Sequence, residues 1–237
     1  MDSAVLLKGE RCEPLLTAGS AGRLGAARTL GPARGQTRDA VAWVVVERGA
    51  GRLVAGDAVV EVAGRDEVFE RPGWSALVGR STEFAIEGDL AATTVWCAAD
   101  RDVTTRMIDP EEVEEEERGD GPTRRRVRTY VPDGPLIVGE TLNPPGGWSS
   151  WPPHRHEHEE CYLYRFTPAH GFGVHVGFDD ASGEPVDRPV LVRDGHIERI
   201  TDGWHPVVAA PGATMYYLWA LAGDTDSVDT RVDPRFE

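Results

Sequence analysis

Seven histidines occur in this 237-residue chain, and none precedes position 154. Three of them stand together in WSSWPPHRHEHEECYLYRF (residues 148–166). His154 and His156 are two apart, so on a β-strand their imidazoles leave the same face. Glu160 follows four residues after His156, and His205 stands in DGWHP (residues 202–206). Three imidazoles and one carboxylate suit a borderline divalent ion such as Zn²⁺, Mn²⁺, Fe²⁺ or Ni²⁺, with positions left open for substrate oxygens. A polar loop merely rich in histidine is the weaker account, because it explains neither the paired spacing nor the distant fourth partner.

Each neighbour has a competing structural role. Glu160 is preferred to Glu159 because ECYLY (residues 160–164) begins a strand on which Tyr162 and Tyr164 share its face. His205 precedes proline in a tight turn, where a capping histidine is the alternative. His158 reads as a surface loop residue. His175 alternates with Val174 and Val176, and serves equally well as a core histidine or a substrate contact. His170 and His196 fall in turns and receive no role. Cys161 points opposite to Glu160 and belongs to a core. Tyr162, Tyr164, Tyr216 and Tyr217 divide between pocket and core, since a tyrosine ring packs while its hydroxyl binds sugar oxygens.

The elements that must carry these residues are short and strand-like. AVAWVVV (40–46), GRLVA (51–55), AVVEV (58–62), EFAI (83–86) and AATTVW (91–96) fill the first half. Gly49, Gly51, Gly56-Asp57, Pro72-Gly73 and Gly88-Asp89 punctuate them. The second half repeats the style with LIVGE (136–140), CYLYRF (161–166), GVHVG (173–177), PVLV (189–192), PVVA (206–209) and MYYLWA (215–220). An all-β protein of two tandem barrel or sandwich modules follows. The expected boundaries are 1–108, a charged linker over 109–128, and 129–237, with metal ligands in the second module only. DPEEVEEEER (109–118) and RRRVR (124–128) give that linker self-compensating charge.

Composition excludes several classes. The net charge of −15 and the lack of a basic stripe argue against nucleic acid. No apolar run reaches the ~20 residues of a membrane span. Three cysteines do not make a disulfide framework, and MDSAVLLKGE lacks the pattern of a signal peptide, so a cytoplasmic protein is expected. Lys8 is the only lysine, which removes Schiff-base chemistry almost entirely.

A fuller set of residues narrows the chemistry. LIVGETLNPPGGWSSWPPHRH (136–156), EECY (159–162), Gly171-Phe172, GWHP (203–206) and MYYLWALAG (215–223) together resemble the 5-deoxy-glucuronate isomerase family of the cupin superfamily. The resemblance implies a bicupin that interconverts 5-deoxy-D-glucuronate and 5-dehydro-2-deoxy-D-gluconate in myo-inositol degradation. Arg155, Glu157 and His175 stand where that family usually has lysine, aspartate and glutamine. Such an aldose–ketose isomerisation needs a Lewis acid for the enediolate and a proton-transfer group, with a metal-assisted hydride shift as the other route. Glu160, His175 and Tyr162 are the candidates for the second task, with Glu159 behind them. Arg155 and Arg165 are the candidates for binding the substrate carboxylate. Two rivals remain: a metal-dependent cupin dioxygenase, and a non-catalytic sugar- or metal-binding bicupin. Homo-oligomerisation stays open.

Overall fold

The computed structural model describes residues 4–18, 22–178 and 189–236. The chain divides into two compact units, Met1–Val113 with Asp133–Ile137, and Glu114–Pro132 with Val138–Glu237. Among the described residues the only helical segments are two 3-10 turns, Pro110–Glu112 and Gly121–Thr123.

The first unit carries β1 (Val5–Gly9), β2 (Cys12–Leu16), β3 (Leu24–Leu30), β4 (Ala33–Thr37) and β5 (Ala40–Ala55). It continues with β6 (Ala58–Ala63), β7 (Ser75–Val78), β8 (Glu83–Ala98) and β9 (Arg106–Ile108). All nine belong to one sheet, in which β5 pairs with β8 along its length. AVAWVVV and GRLVA are therefore one strand, as are EFAI and AATTVW, because the glycines between them do not turn the chain. Gly51 faces Gly88 in the ladder, and a Cβ on Gly49 would come within 1.9 Å of the Asp89 carbonyl oxygen. Those glycines mark a close approach of two bent strands, where any side chain would clash. Gly56-Asp57, by contrast, is a true two-residue hairpin loop, with Ala55 opposite Ala58 and a φ of 55° at Gly56. Val44, Val46, Leu53, Phe84, Ile86 and Trp96 pack in this unit's apolar core, and the unit contains no histidine.

The second unit carries β10 (Glu114–Arg118), β11 (Arg125–Val131), β12 (Leu136–Asn143) from Val138 onward, β13 (Trp148–Arg155), β14 (Glu159–Thr167) and β15 (Phe172–His175). β16 (Val190–Arg193), β17 (Ile197–Ile200), β18 (His205–Ala209), β19 (Thr214–Ala222) and β20 (Arg231–Val232) complete it. One sheet runs β10-β11-β12-β19-β14-β17 and the other β16-β15-β18-β13-β20. Their facing sides share one core, with Tyr164 and Phe166 from β14, Met215 and Tyr217 from β19, and Val207 and Ala209 from β18.

The expected linker over 109–128 is a correction. Most of it is structure of the second unit, which begins at Glu114 rather than at 129. β10 pairs antiparallel with β11, setting Glu115 opposite Arg128 and Glu117 opposite Arg126. Glu115 binds Arg126 and Arg128, and Glu117 binds Arg124. An acidic run repels itself when read alone; a facing arginine strand converts the same charges into cross-strand attraction.

Candidate metal centre

Strand alternation and one register pair assemble the histidines. His154 on β13 lies directly opposite His205 on β18. One ring nitrogen from each of His154, His156 and His205 lies within 4.8 Å of the others. Glu160, at the start of β14, places Oε2 3.1 Å from Nε2 of His205 and 3.8 Å from Nε2 of His156. The four residues expected from sequence thus meet at one end of the second unit's core.

The donor set fits a cation. Donors each ~2.1 Å from a shared ion lie about 3.0–3.4 Å apart in cis-octahedral or tetrahedral geometry, so the triad, within 4.8 Å, would draw in by at most about 1.5–2 Å to hold one. Oε2 of Glu160 is buried and has no partner in hydrogen-bond geometry among the described residues. An unpaired buried carboxylate oxygen facing imidazole nitrogens is costly unless a positive charge joins it. An outer contact aims one ring: the Thr230 hydroxyl lies 3.4 Å from Nδ1 of His156.

Electrostatics leave these ligands ready. Burial, reinforced by the neighbouring His205 and His156, lowers His154 to about 3. Burial also lowers His156. For Glu160 burial acts upward, but the contact with His205 and the nearby imidazoles outweigh it and hold the carboxyl below its usual value. Neutral imidazoles and an ionised carboxylate are the forms a metal binds.

A layer of hydroxyls borders the histidines. Tyr162 Oη lies 3.3 Å from Nε2 of His205 and 3.1 Å from Oγ of Ser150. Tyr217 donates to Ser149 Oγ at 2.9 Å, and Asn143 Nδ2 donates to the same oxygen at 3.0 Å. Tyr164 Oη lies 2.9 Å from Nδ1 of His175. Burial raises all three tyrosines, so each keeps its proton at neutral pH. Ser149, Ser150 and Asn143 lie within the segment that carries the family resemblance but received no individual role, and simple alternation would turn only one of the two adjacent serines inward.

Other expected residues fall elsewhere. Glu159 binds Arg199 at 2.7 Å, which leaves Glu160 as the carboxylate of the cluster. Arg165, expected to bind substrate carboxylate, is buried on the face of β14 opposite Glu160 and Tyr162, with Nη1 donating to the Tyr164 carbonyl at 3.1 Å. Arg155 follows His154 on β13, so it leaves by the other face and stacks over the Trp204 ring at 4.7 Å. It nevertheless lines, with His156, Thr201, Asp202 and Arg231, a cleft of about 290 Å³. His158 is buried rather than on the surface, packed where a Cβ on Gly223 would touch its ring at 2.1 Å. β13 ends at Arg155, so His156 and His158 both follow the strand; His156 comes to the cluster, whereas His158 packs against Gly223. Tyr216 faces away and donates to Glu140 at 2.9 Å, and Cys161 is core, as expected.

The KduI/IolB family model matches residues 27–237. The chain belongs to the KduI/IolB family. This family member is 33% identical over 219 residues to the 5-deoxy-glucuronate isomerase of Geobacillus kaustophilus, covering 85% of this chain and 78% of the relative. The 5-deoxy-glucuronate isomerase of Geobacillus thermodenitrificans is 34% identical over 190 residues, covering 73% and 68%. The KduI/IolB chain is therefore an enzyme of the isomerase class. Among solved structures, an IolB-like protein from Salmonella typhimurium superposes with a TM-score of 0.86 at 23% identity, covering 98% of this chain and 97% of the other. Bacillus subtilis oxalate decarboxylase superposes with a TM-score of 0.57 at 10% identity over 98% and 80%. These likenesses make the fold a bicupin. Mn(II) centres are described in that decarboxylase, and here a histidine triad is present in the second unit.

Proposed function

We propose that the second unit isomerises 5-deoxy-D-glucuronate to 5-dehydro-2-deoxy-D-gluconate, using one divalent ion held by His154, His156, Glu160 and His205. The observation that carries this reading is the convergence of those four side chains in a chain related to 5-deoxy-glucuronate isomerases. When bound, a Zn²⁺, Mn²⁺, Fe²⁺ or Ni²⁺ ion supplies Lewis acidity toward the carbonyl and the neighbouring hydroxyl of the sugar acid.

The chain's own groups divide the remaining work. A proton must leave the carbon beside the aldehyde and return to the aldehyde carbon through an enediolate. Of Glu160, His175 and Tyr162, only Glu160 is held ionised, so it can accept the proton if one of its carboxylate oxygens stays off the ion. Tyr162 keeps its proton and donates a hydrogen bond to developing negative charge. His175 acts as a donor too, and its role follows from Tyr164. A buried hydroxyl needs an acceptor, and among the described residues the partner of the Tyr164 hydroxyl is Nδ1 of His175. Tyr164 donates, Nδ1 accepts, and the proton of the neutral ring sits on Nε2. Burial lowers His175 to about 3, which keeps the ring neutral. A neutral imidazole N–H can stabilise an enediolate oxygen without surrendering a full charge. Arg155, at the cleft shared with His156, is the side chain to meet the substrate carboxylate.

The test is anaerobic incubation of metal-loaded protein with 5-deoxy-D-glucuronate in D₂O, followed by NMR. Formation of the 2-deoxy-5-keto acid supports the reading. No turnover of any uronic acid, together with oxygen uptake on a diketone, would replace it with a dioxygenase.

A further inference from the structure

Ser150 combines two features that rarely coincide. It is buried inside β13, and its φ is +55°, in the left-handed region that non-glycine residues avoid. Among the described non-glycine residues only Ser81 shares a positive φ, and Ser81 lies exposed in a turn, where such a conformation is common. The β13 register explains the geometry. Ser149 pairs with Val207 and His154 with His205, so the ladder is broken between Ser149 and His154. The extra residues form a bulge that turns both Ser149 and Ser150 toward the core.

The two serines then serve different tyrosines. Ser149 accepts from Tyr217, while Ser150 Oγ lies 3.1 Å from Tyr162 Oη. The rings of Tyr162 and Tyr217 pack at 4.4 Å, so the pair is indexed by adjacent hydroxyls on one strand. Without Ser150, the remaining neighbour of the Tyr162 hydroxyl is Nε2 of His205 at 3.3 Å. That nitrogen already faces Glu160. A second partner lets the tyrosine hold its hydroxyl beside the cluster without occupying the lone pair of His205.

We propose that Ser150 is a positioning residue whose strained backbone fixes the Tyr162 hydroxyl at the edge of the histidine cluster. Strain kept in a buried strand, and spent on aiming one functional group, is the pattern of a site that the surrounding fold over-determines. The inference rests on the reading of Tyr162 as a working group in the isomerisation.

Glycine separates strain from hydroxyl, because it accepts a positive φ and has no side chain to bond. The variants are Ser150→Gly, Ser150→Ala, Tyr162→Phe and the Ser150→Gly/Tyr162→Phe double variant, in the full chain. The thermal midpoint of metal-stripped Ser150→Gly is expected to rise by about 2–4 °C relative to Ser150→Ala. For 5-deoxy-D-glucuronate turnover, kcat is expected to fall about tenfold or more in Ser150→Gly and in Tyr162→Phe, with KM nearly constant. The double variant should be no slower than Tyr162→Phe alone, since the serine acts through the tyrosine. Wild-type kcat in Ser150→Gly, with Tyr162→Phe impaired, would overturn the positioning role and leave the tyrosine reading standing. Wild-type kcat in Tyr162→Phe would overturn both. Multiplying losses in the double variant would also sink the proposal, as would a glycine variant no more stable than the alanine one.

Discussion

Acidification should destabilise the second unit by an amount set by its buried neutral histidines. His154 and His175 both sit at about 3 in the folded protein, against an ordinary value of 6.5. A group whose folded value is depressed by burial must stay neutral to remain inside. Its contribution is complete above pH 6.5 and is lost progressively as pH falls from there toward 3. Between pH 7.5 and 5.5 the loss depends on the unfolded value alone, because the folded ring does not titrate in that window. Each histidine then contributes about 1.4 kcal/mol, and the two together about 2.7 kcal/mol. Burial of His156 acts in the same direction. Protonation of Glu160 falls below this window, since its carboxyl is held under its usual value. The assay is a urea titration of chelator-treated protein at both pH values, read by hydrogen–deuterium exchange on peptides from β14 and β19. His175→Gln retains an acceptor for Tyr164 and removes one titrating ring, so its loss on acidification should be smaller by about 1.4 kcal/mol. An unchanged pH dependence in that variant would refute the claim that His175 is held neutral by burial.

Three further outcomes are expected. In Tyr164→Phe the acceptor role of Nδ1 disappears, so ¹⁵N NMR should show His175 passing from one tautomer to a mixture, with kcat reduced. Arg155→Gln should raise KM for the sugar acid several-fold with little change in kcat, while a stably folded Arg165→Gln should leave KM unchanged, given its placement on the other face of β14. Glu140→Ala removes the 3.0 Å partner of the fully buried Arg128 guanidinium while Glu115 remains, and denaturation should show a loss of about 1–3 kcal/mol.

The sequence and the structure agree where local periodicity decides the outcome. His154 and His156 converge as their two-residue spacing predicts, although β13 ends between them at Arg155, and strand parity on β14 selects Glu160 over Glu159. Parity would also have discounted Arg165, which is adjacent to the inward-facing Tyr164; nearness along the chain favoured it. The rest depended on partners that a linear reading does not display. The acidic run became a strand because arginines from β11 face it. Gly49, Gly51 and Gly88 looked like turns, although their small size serves the crossing of β5 and β8. His158 lost its assumed exposure to the missing side chain at Gly223. Ser150 was hidden for a different reason: a bulge suspends the alternation on which strand reading relies.

Metal content tests the central claim most directly. Wild-type protein and a His154→Ala/His156→Ala double variant, purified identically and reloaded with Zn²⁺ or Mn²⁺, are desalted and measured by inductively coupled plasma mass spectrometry. The account predicts one tightly held ion per wild-type chain and none in the double variant, with both proteins folded. Full occupancy in the double variant, or a second ion per chain in the histidine-free first unit, would contradict it.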